Sequence, residues 1–415
     1  MPPVRASYVK TLLSCIVVVV VTLPLIFVSL AWLATPFAAV AAAVAALVTI
    51  AAALLTLAAT VVLIRDRRAR RGDPDLFMRL NRSRDEAAIV AAGTRRRSGL
   101  LRWLAKQLLG HDLLVGDWVE VRSRAEIDAT LDDQSCFEQL PFMPEMRQYC
   151  GQRAYVLRCA HRVFDYRKSR RMRHLDGAVL LTSLQCDGAH HGGCEASCYM
   201  IWKSAWLRRV DANAASVGSA AGARVAVGNV ADVPNRRYRC QLTQLHDATR
   251  PIGDWSAGNF VRPLVSGNVA PLAFCVGWLT HLFNQLQYRR GGVDVPAFDD
   301  DEPQRPDTAH GGDVLLRRDE PVRVRSAGEI RITLNDRSLN RGLYFEPDML
   351  KHCGRRYRVQ CVISKLVDVV SGELITMKTP AYVLRDVRFS GERQLFNAQQ
   401  EALFWRSRWL RRDVD

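Results

Sequence analysis

The chain carries no charged residue between Thr11 and Ile64, an absence that excludes a water-exposed segment there. As one helix that stretch reaches roughly 80 Å at about 1.5 Å per residue, against a hydrocarbon core of about 30 Å. It therefore predicts two crossings, broken at "LATPF", where Pro36 opens the second helix. The expected spans of this hairpin are Thr11–Leu33, kinked at Pro24, and Phe37–Ile64, whose alanine-rich run offers small residues for close helix contact. Its length excludes a cleaved signal peptide, which wants an apolar region of about 7–15 residues. A lipoprotein signal is excluded too, because Cys15 follows Lys10 with almost no apolar stretch between them.

Catalytic signatures are the second absence. There is no nucleotide-binding glycine loop, no nucleophile elbow and no credible Ser/His/Asp set, so no reaction is legible and the balance leans away from an enzyme. Aromatics are not interleaved with the arginines, which argues against nucleic acid as a partner.

Positive charge, by contrast, is abundant, at a formal net of +16. Arg5 and Lys10 precede the apolar stretch and "RDRRARR" follows it. By the positive-inside rule both ends of the hairpin face the cytoplasm, which predicts a multi-pass protein of the bacterial inner membrane with both termini and the soluble part cytoplasmic. Between Arg65 and Gly110 there are 13 basic and 5 acidic residues, half of the net charge in one juxtamembrane stretch drawn to anionic headgroups. Within it "SGLLRWLAKQLLG" (Ser98–Gly110) has apolar residues at helical spacing and could lie on the bilayer surface. In a reducing compartment the eleven cysteines should be buried thiols, metal ligands or redox groups rather than disulfides.

An internal repeat organises the remainder. A constant offset of 203 residues carries Cys150 to Cys353, Glu126 to Glu329, Thr130 to Thr333, Phe142 to Phe345, Pro144 to Pro347 and Met146 to Met349. The same offset sets "WKSAWLRR" (Trp202–Arg209) over "WRSRWLRR" (Trp405–Arg412). This predicts a cytoplasmic N-terminus (1–10), the hairpin (11–64), a basic juxtamembrane region (65–115) and copy one (116–210). A connecting region (211–295), an acidic Pro/Gly-rich linker (296–319) and copy two (320–413) follow. Each copy reads as an alternating strand, a Ser-capped short helix, a Pro turn, a Cys-Gly turn, two further strands and a helix-like tail. The tail would put Cys198, Ile201, Trp202, Ala205 and Trp206 on one face. In the connecting region, Tyr238–Thr249 reads as a strand. Ala270–Gly291 reads as an apolar helix, packed between the copies or laid into the membrane surface.

The fold class expected is thus α+β, mainly β: a transmembrane hairpin followed by two tandem modules. The opening "GDWVEVRS" resembles the start of SH3-like small barrels, including that of the nitrile hydratase β subunit. The whole pattern of "GDWVEVRS", "LPFMPEM", "YCG", "CDGAHHGGC" and "WKSAWLRR" resembles a bacterial membrane-anchored family with this duplicated module. Neither resemblance implies an activity.

"CDGAHHGGCEASC" holds the candidate site: Cys186, His190, His191, Cys194 and Cys198, with Cys150 as a further ligand. Thiolates and imidazoles suit zinc, and a helix starting near Gly193 would set Cys194 and Cys198 one turn apart with lowered thiol pKa values. A metal-free buried or redox thiol cluster and an ordinary glycine-rich loop stay open beside this. "CDGAH" also resembles the end of the CDGSH iron–sulfur motif, which implies a two-iron cluster. That motif's upstream C-x-C pair and its Pro before the last Cys are missing here, so an iron–sulfur cluster is the weaker cofactor. Copy two places Phe389, Arg393, Gln394, Asn397 and Glu401 at the five positions, so it cannot hold a metal there. His161 and His174 border "DYRKSRRMRH", which reads as a solvated basic face. The paired tryptophans Trp202, Trp206, Trp405 and Trp409 read as core, with a partner-binding surface as the alternative. The function expected is a membrane-anchored cytoplasmic binding or scaffold protein, an accessory to a biosynthetic pathway that engages a protein partner. The alternatives are a membrane-tethered metal- or thiol-dependent redox enzyme and an anionic-lipid or nucleic-acid adaptor.

Overall fold

Alanine is the strongest helix former, and "PFAAVAAAVAALVTIAAALLTLAATVVLIRDRRAR" forms one continuous helix from Pro36 to Arg70. A computed structural model describes Thr11 and residues 36–70, 75–93, 97–210, 237–253, 256, 258–292, 295 and 315–413. Within the long helix, the 24 residues Ala46–Ala69 are long and apolar enough to cross a membrane. Among the described residues there is one apolar helix and not a hairpin; the expected first arm, apart from Thr11, lies outside them. The helix also runs six residues beyond the expected end at Ile64, because the Arg65 side chain turns inward into an ion-pair network. Val44, Leu47 and Ile50 are exposed, whereas Ala58, Ala59 and Val62 are buried against Leu279 and Phe283 of the helix Pro271–Arg289. That second helix accordingly packs on the apolar helix.

Copy one is a five-stranded antiparallel sheet of β1 (Trp118–Val121), β2 (Arg153–Cys159), β3 (Ala178–Gln185), β4 (Tyr199–Lys203) and β5 (Leu207–Arg209). Copy two repeats it with β6 (Pro321–Val324), β7 (Arg356–Val367), β8 (Leu374–Arg388), β9 (Ala402–Trp405) and β10 (Leu410–Arg412). The strand orders, β4-β3-β2-β1-β5 and β9-β8-β7-β6-β10, are the same, with the last strand returning to pair with the first. The mixed α+β class and the repeat are thus shown, with each sheet curled over its own core. The Ser-capped helices appear at Arg124–Asp128 and Ala327–Arg331. Ser123 and Ser326 each accept the N–H of Glu126 or Glu329, whose carboxylate returns to the Ser N–H.

The helix-like tails are strands. Trp202 ends up on β4 and Trp206 in a 3-10 turn (Ser204–Trp206) before β5, and copy two does the same with a turn at Ser407–Trp409. A strand followed by one tight turn points both indoles inward and so mimics helical spacing. All four tryptophans are fully buried, which makes them core and removes the partner-surface alternative. Trp206 Nε1 donates to Thr130 Oγ1 at 3.0 Å, and Trp409 Nε1 donates to Thr333 Oγ1 at 3.0 Å. Thr130→Val and Thr333→Val should each cost about 1–3 kcal/mol by orphaning a buried donor. Chemical unfolding should give the two variants equal losses, and clearly unequal ones would refute equivalent packing.

The stretch Tyr238–Thr249 holds a helical turn (Gln241–Gln244) and not the expected strand. Its Gln241 is buried, its carboxamide bonding both the N–H and C=O of Ile201 at 2.8 Å, so a side chain takes the place of a backbone ladder. His161 and His174 are also buried, at 3% exposure each, so the basic run is not wholly a solvated face. The helix Gly99–Leu109, capped by the Ser98 side chain, buries Ala105 and Leu109 in the copy-one core and leaves Leu100 and Trp103 exposed.

The copies meet about a pseudo-two-fold axis. Glu195 N–H donates to the Lys365 carbonyl at 2.9 Å, and Ala398 N–H donates to the Arg162 carbonyl at 3.1 Å. These are one hydrogen bond and its mirror at the 203-residue offset. At the same interface Tyr166 donates to Glu401 at 2.7 Å, and burial, helped by the Glu346 charge and opposed by the Tyr166 bond, pushes the Glu401 carboxyl up to about 7. The folded state therefore holds this proton more tightly than the unfolded chain. Its stabilisation is full below the ordinary glutamate value near 4.5 and is lost as pH rises through about 7. The swing is roughly 3 kcal/mol at about 1.4 kcal/mol per unit. Glu401→Gln should flatten this part of the stability–pH curve; an unchanged curve would assign the dependence elsewhere.

Candidate metal centre

The segment after β3 cannot be helical where it was expected to be. Gly188, Gly192 and Gly193 adopt left-handed φ of +72°, +65° and +79°, and the chain forms consecutive turns from Ala189 to Gly193. At Gly188 a Cβ would lie 1.9 Å from the Cys194 carbonyl oxygen, so only glycine lets the loop close. The closure is sealed where Cys186 N–H donates to the Cys198 carbonyl at 2.8 Å.

Inside the loop His191 is buried between two acceptors. Its Nε2 faces the Arg239 carbonyl at 3.3 Å, and its Nδ1 lies 2.7 Å from Glu145 Oε1 and 3.7 Å from Cys186 Sγ. A neutral imidazole carries one proton, which donates either to the Glu145 carboxylate from Nδ1 or to the Arg239 carbonyl from Nε2; with the proton on Nε2, Nδ1 is left to bind a metal ion beside the carboxylate. Orientation of a ligating histidine by a backbone carbonyl on its far nitrogen is the usual arrangement around bound metals.

Glu145 supplies the donor that inspection of the motif did not find. It lies 41 residues upstream, in the 3-10 turn Pro144–Tyr149, and its side chain is fully buried. Its Oε1 also accepts the His190 N–H at 3.0 Å, while Oε2 has no hydrogen-bond partner among the described residues. Burial works to raise this carboxyl, yet the His191 bond and charge outweigh it and hold the group below its ordinary range. The Glu145 oxygen, Cys186 sulfur and His191 nitrogen lie within 4.8 Å of one another, and this group could hold a metal ion.

Copy two shows what the position demands. Its equivalent of Glu145 is Asp348, whose Oδ1 meets Lys351 Nζ at 2.6 Å and Ser390 Oγ at 2.7 Å, while Oδ2 accepts the Ser390 N–H at 2.8 Å. Both oxygens are satisfied and a buried cation balances the charge. The equivalent of Lys351 in copy one is Gln148, which cannot supply that charge. Phe389, in place of Cys186, is buried in the copy-two core.

The other expected ligands fare differently. His190 contributes its backbone to Glu145. Cys194 Sγ accepts the Val367 N–H of copy two at 3.3 Å. Cys198 is partly exposed, with Cys194, Cys186, Cys240 and Glu401 acting on its thiol electrostatically. Cys150 packs against the copy-one core. None of these four belongs to the group of three. Burial raises the thiols of Cys186, Cys194 and Cys198, which reverses the expected lowering by a helix N-terminus that is not there. No protein-family model, curated protein or solved structure matches the chain.

Proposed function

We propose that the protein is a non-catalytic, membrane-anchored scaffold whose first module is fastened by a zinc ion. The carrying observation is the buried Glu145 carboxylate of copy one, whose Oε2 has no hydrogen-bond partner among the described residues, whereas its counterpart Asp348 in copy two is answered by Lys351. A divalent cation between Glu145, Cys186 and His191 would supply the missing charge, and the mixed O, S and N donor set suits zinc. Glu145 and His191 have side chains 0% and 5% exposed, so the site is closed, as structural zinc sites are. Tetrahedral ligands about 2.0–2.3 Å from zinc stand roughly 3.4 Å apart, so the Glu145 oxygen withdraws slightly from His191 to admit the ion.

The returning last strand and the 3-10 turn before it support reading each sheet as an SH3-like small barrel, a shape suited to binding a protein partner. The apolar helix supports an anchor in the bacterial inner membrane. The basic stretch after it, with exposed Leu100 and Trp103, supports contact of the cytoplasmic part with anionic headgroups. A thiol redox enzyme fits less well, because burial raises the Cys194 and Cys198 thiols.

Metal analysis of the full chain purified in detergent should find one zinc per chain. Glu145→Gln and His191→Ala should each lose it, whereas Asp348→Asn should retain it. Wild-type protein without stoichiometric zinc would end this reading.

A further inference from the structure

The helix Pro271–Arg289 runs back along the apolar helix. It begins where Ala270 N–H donates to Asn81 Oδ1 at 2.9 Å, and its Ala273 and Val276 pack on Phe77, just past the end of the apolar helix. It then passes Arg65, which donates to Thr280 Oγ1 at 2.8 Å, and sets Leu279 and Phe283 among Val62, Ala59 and Ala58. At its far end the chain reverses. Gly291 adopts a left-handed φ of +65°, and Gly292 N–H donates to the Gln287 carbonyl at 2.8 Å. Val295 is thereby brought back beside Asn284, whose carboxamide bonds its N–H at 2.8 Å and its carbonyl at 2.9 Å. Tyr288, Arg289 and Arg290 are exposed on the tip of this reversal, Tyr288 at 80%.

Building on the anchor reading above, we infer that this tip meets anionic lipid headgroups and marks the depth at which the apolar helix enters the bilayer. Arg289 lies six residues, about 9 Å, beyond Phe283, and six residues back from Ala58 is Ala52. From Pro36 to Ala52 the helix keeps about 17 residues or 25 Å, the short end of what a crossing needs. Within that stretch Val44, Leu47, Val48 and Ile50 are exposed, as lipid-facing side chains would be. The start of the first expected span falls at the same level: Gln287 Nε2 donates to Thr11 Oγ1 at 3.3 Å, and the charge-free sequence begins at Thr11. A crossing that continued to Ala69 would carry Asp75 and Glu392, the partners of Arg65, towards hydrocarbon, at high cost. Side chains lean toward the N-terminus of their helix, here away from the bilayer, so arginines at this tip reach back to phosphate depth. Tyr288 beside them is a residue type favoured at the membrane–water interface.

The test is photocrosslinking of the full chain in vesicles of three parts phosphatidylethanolamine to one part phosphatidylglycerol. A benzophenone amino acid is placed singly at Leu47, Ile64 or Tyr288, all exposed positions. Leu47 and Tyr288 should label lipid, and Ile64 should label none. The probe at Tyr288 should take phosphatidylglycerol about fivefold above its share of the bilayer, as attraction to a basic residue at the surface implies. Arg289→Gln together with Arg290→Gln should return that labelling to the bilayer share. Lipid labelled from Leu47 but not from Tyr288, lipid labelled from Ile64, or no enrichment lost in the double variant would overturn the assignment and leave the anchor intact. No lipid labelled from Leu47 would remove the anchor reading as well.

Discussion

Replacing Arg65 with leucine should lower the stability of the folded chain by about 3–5 kcal/mol, among the largest losses a single substitution can cause here. Arg65 leaves the apolar helix with a side chain 4% exposed and meets Glu392 Oε1 at 2.5 Å, Asp75 Oδ1 at 2.8 Å and Thr280 Oγ1 at 2.8 Å. Glu392 in turn accepts from Lys351 at 3.0 Å, and Lys351 holds Asp348. Two cations and three carboxylates thus form one largely buried chain running from the apolar helix to the copy-two loop. Burial works to raise the Glu392 carboxyl, but Arg65 and then Lys351 outweigh it and keep the group ionised. Removing the guanidinium strands charges that have already left water, which costs more than the attraction alone. Unfolding in detergent micelles, followed by protection of amides 390–397, is the measurement. Arg67→Leu, at an exposed position two residues on, should cost less than about 0.5 kcal/mol. A double-mutant cycle with Glu392→Gln should show coupling above about 1 kcal/mol. Equal effects of Arg65→Leu and Arg67→Leu would show that the network does not hold the helix.

This network and the candidate metal centre occupy one place in the two copies. The loop after the third strand closes over an acid from the 3-10 turn: Glu145 beneath 186–198, and Asp348 beneath 389–401. Copy two answers its acid with Lys351 and uses the neighbouring Glu392 to receive the apolar helix. Copy one has Gln148 and Ala189 at those two positions and gathers sulfur and imidazole instead. Duplication left one loop free to dock the apolar helix and the other free to gather the Glu145, Cys186 and His191 donors.

How much of this was legible follows from the range of each interaction. The 203-residue offset, the capped helices and the alternating strands are local patterns, and each lies where the sequence put it. The tryptophan tails misled because residues four apart can share a side either on a helix or across a strand and a tight turn. The glycines at 188, 192 and 193 were visible, but that Gly188 must admit the Cys194 carbonyl depends on a contact the sequence does not display. Glu145 stayed hidden behind 41 residues of separation. Its signal was nonetheless present: an acid at one point of "LPFMPEM" is matched by Asp348 in the corresponding "LYFEPDM", while most of the cluster is not matched at all. A conserved acid beside an unconserved donor set marks a shared acidic position whose counter-charge differs between the copies.

That difference yields the second large effect. Stripping zinc from the full chain should destabilise copy one by about 3–4 kcal/mol, the linkage expected when free metal exceeds its dissociation constant by about 100- to 1,000-fold. The loss should be uneven. Glu195 and Cys194 sit on the loop that carries Cys186 and His191 and receive copy two through Lys365 and Val367, so the loop and this half of the pseudo-two-fold interface should open together. The opposite half, where Gln399 bonds Phe164 and Ala398 bonds Arg162, carries no such dependence. Hydrogen exchange with and without chelator should therefore raise rates at residues 186–198 and 364–367, with residues 389–401 barely changed. Glu145→Gln should make the chelator inert, because the buried carboxylate that recruits the ion is gone. Asp348→Asn should lower stability yet leave the chelator response whole, because Lys351 and not a metal answers that acid. A chelator effect spread equally over both copies would mean that the ion acts on the interface at large and not through the copy-one loop.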